Sequence, residues 1–164
     1  RLLALQANGR ALMRRLHWLV LLLLGSVLLV GCGGNDPDKP PEIAYGRDTC
    51  ARCGMIISEE RHAAGLVDAS GKQDVFDDAG EMVAFVQEHG LGDRRVWVHD
   101  FDSQEWIDGT TAFYVASPDA TTPMGTGLVA FATRESAEAY SRDHAGTVMT
   151  WDEVLSSWTP PMDH

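Results

Sequence analysis

Beyond residue 60 the chain alternates short apolar runs with helix-like stripes. "AAGLVDA" (63–69), "QDVFD" (73–77) and "RVWVHDF" (95–101) read as strands, and so do "AFYVAS" (112–117), "GLVAFA" (127–132) and "TVMTW" (147–151). Two of the intervals carry helical spacing instead. After Asp78, the residues Met82, Val83, Phe85 and Val86 recur on one face; after Thr133, Ala137, Ala139 and Tyr140 do the same. Each helix closes with His and then Gly within two residues, so His89 and His144 are expected to cap helix C-termini rather than to bind ligands.

These two stretches repeat one another. Residues 71–90 lie over 126–146 with an offset of 55: Phe76 falls on Phe131, Glu81 on Ser136, Phe85 on Tyr140 and His89 on His144. The pattern strand–strand–helix–strand therefore occurs twice, an α+β arrangement of two similar ββαβ halves, 49–104 and 105–155. Halves this small bury too little apolar surface to stand apart, so they are expected to pack into one body. Residues 156–164, with their Pro pair, are expected to form a loose tail.

The region before the repeat has another character. Two arginines, Arg14 and Arg15, precede an apolar run from Trp18 to Val30, followed by Leu29-Val30-Gly31-Cys32. A basic region with a short apolar segment is an export signal, and the small residue before cysteine resembles a bacterial lipobox. Residues 1–31 are read as a signal region, with 1–12 as an upstream extension before a start at Met13, and Cys32 as the lipidated residue. The Gly/Pro/Asp-rich segment 32–48 then reads as a flexible tether. Gly33 is not the aspartate that resembles an inner-membrane retention signal. The expected location is thus the cell envelope, lipid-anchored and facing the periplasm, on the outer membrane.

Charge narrows the partners. Of 13 Lys+Arg, four arginines fall within residues 1–31, which hold no acid; the remainder carries 9 basic residues against 24 acidic ones, a formal charge of −15. A surface this acidic repels nucleic acid and anionic lipid.

With Cys32 assigned to lipid, the two remaining cysteines are Cys50 and Cys53, in "DTCARCGMIISEERH" (48–62). A pair three apart has local chemistry rather than a disulfide framework. Three chemistries compete. A redox dithiol needs the pair at a helix start, where the dipole lowers a thiol pKa, and here a polar tether precedes it. A structural zinc site needs four ligands, and no third usable cysteine exists. A soft-metal site for Cu(I) is content with two or three sulfurs. Cys53 and Met55, at i and i+2 of an extended segment, would point the same way, with Gly54 allowing a close turn. Met124, held between Pro123 and Gly125, stands outside any apolar run and is a further thioether. Met149 sits in a strand pattern and reads as packing, while His62 and His99 are secondary ligand candidates.

"CARCGM" (50–55), "WIDGTTAFYV" (106–115) and "PMGTGLVAF" (123–131) together resemble the NosL family, in family order and across nearly all of residues 49–155. The resemblance implies two ββαβ halves, a lipoprotein that binds Cu(I), and a role in maturing the copper centres of nitrous oxide reductase, with copper drawn from an upstream source. It implies metal ligands at Cys53, Met55 and Met124, with Cys50 as an additional one, and no enzymatic activity. An envelope thiol–disulfide oxidoreductase using Cys50 and Cys53, or a copper storage or sensing module, are the rival readings.

Overall fold

The computed structural model describes residues 36–161. The expected signal region, the lipidated Cys32 and the last three residues lie outside them. Among the described residues no helix is long and apolar enough to cross a membrane.

The first half runs β1 (Ala64–Val67), β2 (Gln73–Phe76), α1 (Ala79–His89) and β3 (Arg95–His99), preceded by a 3-10 turn at Glu60–His62. The second runs β5 (Phe113–Ala116), β6 (Leu128–Phe131), α2 (Arg134–Asp143) and β7 (Thr147–Met149), followed by α3 (Trp151–Ser157). In each half the first strand is central. The first sheet has the order β2-β1-β3, extended by the short β4 (Trp106–Asp108), and the second has the order β6-β5-β7; all pairs are antiparallel. The protein is therefore α+β with two ββαβ halves, as the repeat predicts.

The repeat holds at atomic detail. Asp78 caps α1 by accepting from the Glu81 amide at 2.8 Å, and 55 positions later Thr133 caps α2 by accepting from Ser136 at 3.2 Å. At the other end the imidazoles of His89 and His144 each bond the carbonyl four residues back, at 3.0 Å, and stack on Phe85 and Tyr140. Both histidines do the capping work expected of them.

The halves share one core. Leu66, Phe76, Met82, Val83 and Val98 of the first half pack with Tyr114, Leu128, Ala130, Trp151 and Val154 of the second. The other face of β5 and β6 presents Val115, Val129 and Phe131 to Ala137 and Tyr140 of α2. The second sheet is thus apolar on both faces, which explains the unbroken run "LVAF". Ala139 is exposed, contrary to the stripe expected for α2, because the buried positions there are Ala137 and, in part, Tyr140, one i,i+3 row.

Three boundaries differ from expectation. The fold begins near Pro41 rather than Thr49. Pro41 is buried on Gly65, where a Cβ would come within 2.5 Å of its ring; Ile43 and Tyr45 pack on the core; and the Tyr45 hydroxyl bonds His99 Nε2 at 3.1 Å. Residues 106–108, which fall within the expected second half, form β4, which pairs with β3 and extends the first sheet. Residues 156–158 are not loose. Thr150 and Glu153 form a capping box for α3, Trp158 is buried, and its carbonyl accepts from Gln87 of α1 at 2.8 Å.

Candidate metal centre

The segment Cys50–Ile57 is a tight loop closed by main-chain bonds. Cys50 donates to the Met55 carbonyl at 2.8 Å, and Gly54 donates to the Cys50 carbonyl at 2.9 Å. Thr49 and Ile56 bridge in antiparallel fashion, and the Ala51 amide fixes the loop to β2 through the Val75 carbonyl at 2.8 Å. Gly54 closes the turn at φ +73°, a left-handed conformation that side chains resist. The loop therefore folds Cys50 and Cys53 onto each other, and the Cys53 amide lies 3.5 Å from Cys50 Sγ.

Both cysteines are free thiols, Cys50 buried and Cys53 partly so. A third group joins them. A carboxylate oxygen of Glu81 and the two sulfurs all lie within 4.8 Å of one another, the one such cluster of His, Cys, Asp and Glu among the described residues. Glu81 sits in the first turn of α1, only 4% exposed. One of its oxygens receives Arg52 Nη1 at 2.9 Å, while the other is buried with no hydrogen-bond partner. Arg52, between the cysteines, also reaches Glu88 at 2.9 Å and so straps the cysteine loop along α1.

The electrostatics follow from burial. Desolvation, and next the contact with Cys50, push the Cys53 thiol up to about 12. Desolvation also raises Glu81, against the pull of Arg52. The Cys53 thiol therefore holds its proton until something positive takes its place, which a soft cation does when it binds thiolate. A redox dithiol is organised the other way, with a thiol lowered at a helix N-terminus, and this pair stands in a turn.

The predicted site residues separate into groups. Cys50 and Cys53 come together, and Cys50 is the more enclosed. Met55 does not follow Cys53 along an extended strand: the left-handed Gly54 intervenes, and Met55 is 56% exposed beside Ile56 at 54%. Met124 is partly buried in the loop from Thr122 to Thr126, and its amide donates to Asp78 Oδ2 at 3.2 Å, so its backbone sits at the end of α1 that carries Glu81. Met149 lies in β7 opposite Tyr114 and packs on the core. His99 is committed, its Nδ1 to the Gln104 carbonyl at 2.8 Å and its Nε2 to Tyr45. The His62 side chain is 7% exposed, with Nε2 3.8 Å from Glu59. Glu81 and Arg52 are the site residues that sequence reasoning missed. An acid in the first turn of a helix is ordinary, and it is the fold that brings Glu81 to the thiols.

Thiols at this separation offer a two-sulfur seat suited to a soft ion. Residues 43–159 match the NosL family. The copper-binding lipoprotein NosL of Stutzerimonas stutzeri is 30% identical over 148 residues, covering 82% of this chain and 76% of the relative. The crystal structure of the copper chaperone NosL from Shewanella denitrificans, 24% identical, superposes with a TM-score of 0.61 over 72% of this chain and 99% of its own, and so shares the fold. The match to the family spans most of the described body, cysteine loop and Met124 loop included, and the chain belongs to the NosL family.

Proposed function

We propose that the protein is a carrier of Cu(I), tethered to the envelope membrane through Cys32, that delivers copper for the maturation of nitrous oxide reductase. The observation that carries this reading is the pairing of two free thiols, Cys50 and Cys53, in one loop, with the Met124 loop held to the same helix. Two relatives whose names state copper binding or copper chaperoning support it.

The chain's own groups define the chemistry. Cu(I) entering the cluster replaces the thiol protons of Cys50 and Cys53, and the Met124 thioether completes a low-coordinate shell, with Met55 as an exchanging donor. The exposure of Met55 suits a ligand that meets the ion first, or that yields first to an incoming donor. A three-coordinate ion accepts an incoming ligand before losing an old one, so copper passes to its recipient without being released to water. No bond of a substrate is made or broken, and the role is carriage rather than catalysis.

The reading is tested by titrating the reduced protein with Cu(I) against a competing chelator. One tight equivalent is expected, weakened strongly in Cys53→Ala and measurably in Met55→Ala. Parental affinity in both variants overturns it. Delivery is tested by activation of copper-free nitrous oxide reductase, which the loaded protein should support and the loaded Cys53→Ala protein should not.

A further inference from the structure

Asp78 is fully buried, and its two oxygens serve two different parts of the molecule. Oδ1 accepts the Glu81 amide at 2.8 Å and caps α1. Oδ2 accepts the Met124 amide at 3.2 Å and the Thr126 hydroxyl at 2.9 Å, both from the other half of the chain. Thr126 in turn lies 3.2 Å from the Thr122 hydroxyl, which accepts the Gly127 amide, and Gly125 donates to the Thr122 carbonyl at 2.9 Å. The loop that carries Met124 is thus internally closed and hangs from one carboxylate. Gly80 leaves room for it, since a Cβ there would collide with the Thr126 side chain.

Helix capping alone does not call for this arrangement. Thr133 caps α2 with its single hydroxyl oxygen, which accepts from Ser136, and an asparagine or serine caps as well as an aspartate does. What an aspartate adds is a second acceptor. A carboxylate buried without a cationic partner is costly, and here three hydrogen bonds and the helix terminus offset that cost. The arrangement ties the Met124 backbone to the turn that bears Glu81, beside the thiols of Cys50 and Cys53.

We infer that Asp78 is a positioning residue for the copper site, fixing Met124 from the second half against the thiol pair of the first. The inference rests on the Cu(I) reading above and adds to it a cause for the inter-half assembly of the site. Asp78 touches no metal; it acts through the Met124 and Thr126 loop.

Asp78→Asn separates the two duties, because asparagine keeps the cap and has only one acceptor oxygen to give. In the reduced full chain, titrated with Cu(I) against a chelator, Asp78→Asn should weaken binding about tenfold or more, the usual cost of removing support behind a ligand. Met124→Ala should weaken it at least as much, and the double variant Asp78→Asn/Met124→Ala no further than Met124→Ala alone. With methyl-labelled methionine, the Met124 methyl resonance should shift on Cu(I) addition in the parent and not in Asp78→Asn. Parental affinity in Asp78→Asn, or losses that simply add in the double variant, would overturn the inference. Where Asp78→Asn fails to fold, Thr126→Val decides: weakened binding with a smaller Met124 shift supports the clamp, and parental behaviour overturns it. Cys53→Ala keeps the two ideas apart. If it binds as the parent does, the Cu(I) reading fails; if it and Met124→Ala both weaken while Asp78→Asn does not, only the clamp fails.

Discussion

The two halves of the molecule have the same strand order and matching helix caps, yet their helices live in different surroundings. α1 buries Ala79, Gly80, Glu81, Met82, Val83, Ala84 and Val86, whereas α2 buries Ala137 alone. The difference begins at the N-terminus. At the start of α2 Thr133 is exposed and Ser136 half-buried; the matching Asp78 and Glu81 are enclosed by the Met124 loop on one side and the cysteine loop on the other. The repeated scaffold packs both halves, and at the start of α1 it also meets the cysteine loop and the Met124 loop. At the helix start the copies part at Asp78 and Glu81, which fall on Thr133 and Ser136, and there the first copy meets the cysteine loop.

The comparison breaks most visibly if the thiols of the first half are removed. Cys50→Ala/Cys53→Ala should lose more than about a hundredfold in Cu(I) affinity, since no soft charged donor remains. Thr133→Ala/Ser136→Ala, at the matching helix start of the second half, should leave affinity unchanged, as chelator competition on both variants would reveal. A loss in the second-half variant would show that the site is not confined to one terminus.

The scaffold should be symmetric where the site is not. Phe76 and Phe131 occupy equivalent positions and are both fully buried. Each Phe→Ala change should cost about 3–5 kcal/mol in denaturant unfolding. A cost below about 1 kcal/mol at either position would mean that the repeat is one of sequence and not of packing.

Capping lies between these extremes. Thr133→Ala should cost about 1 kcal/mol. Asp78→Ala should cost more, because it also strands the Met124 amide and the Thr126 hydroxyl in a buried place. Equal costs, read from urea midpoints, would remove the structural basis for treating the two termini as different.

The smallest effect is in pH. The first half encloses His99, whose pKa burial lowers from 6.5, against the Gln104 carbonyl. His62 is lowered from 6.5 in the same way by burial. Below pH 6.5 the unfolded chain takes up protons that the folded imidazoles resist, so stability should be full above that value and decline as pH falls. His99→Gln should flatten the decline between about pH 6.5 and the lower folded pKa. An unchanged slope in that variant would assign the acid sensitivity elsewhere.

Much of this architecture is written locally. The period-two and period-3.6 stretches, the Asp78 and Thr133 caps and the 55-residue offset specify both ββαβ halves, because strand alternation and capping act within a few residues. β4 is not legible, for Trp106–Asp108 is short and its partner is chosen by tertiary pairing with β3. α3 is missed because its capping box, Thr150 with Glu153, overlaps a run that reads as strand, and Trp158 is drawn inward by Gln87 and the core. Among the candidate ligands, Cys50, Cys53 and Met124 carry unusual chemistry in their type and spacing. Glu81 does not: an acid in a first helical turn is ordinary, and only the fold brings it to the thiols. Met55 shows the opposite failure, since the spacing argument assumes an extended chain and Gly54 turns it.

The central claim is that one Cu(I) is held by sulfur drawn from both halves. X-ray absorption of the Cu(I)-loaded reduced protein tests it most directly, applied to the parent, Cys53→Ala and Met124→Ala. The account predicts an all-sulfur shell in the parent, reduced by one sulfur in each variant. A parental shell built from nitrogen or oxygen, or one that Met124→Ala leaves intact, would contradict it.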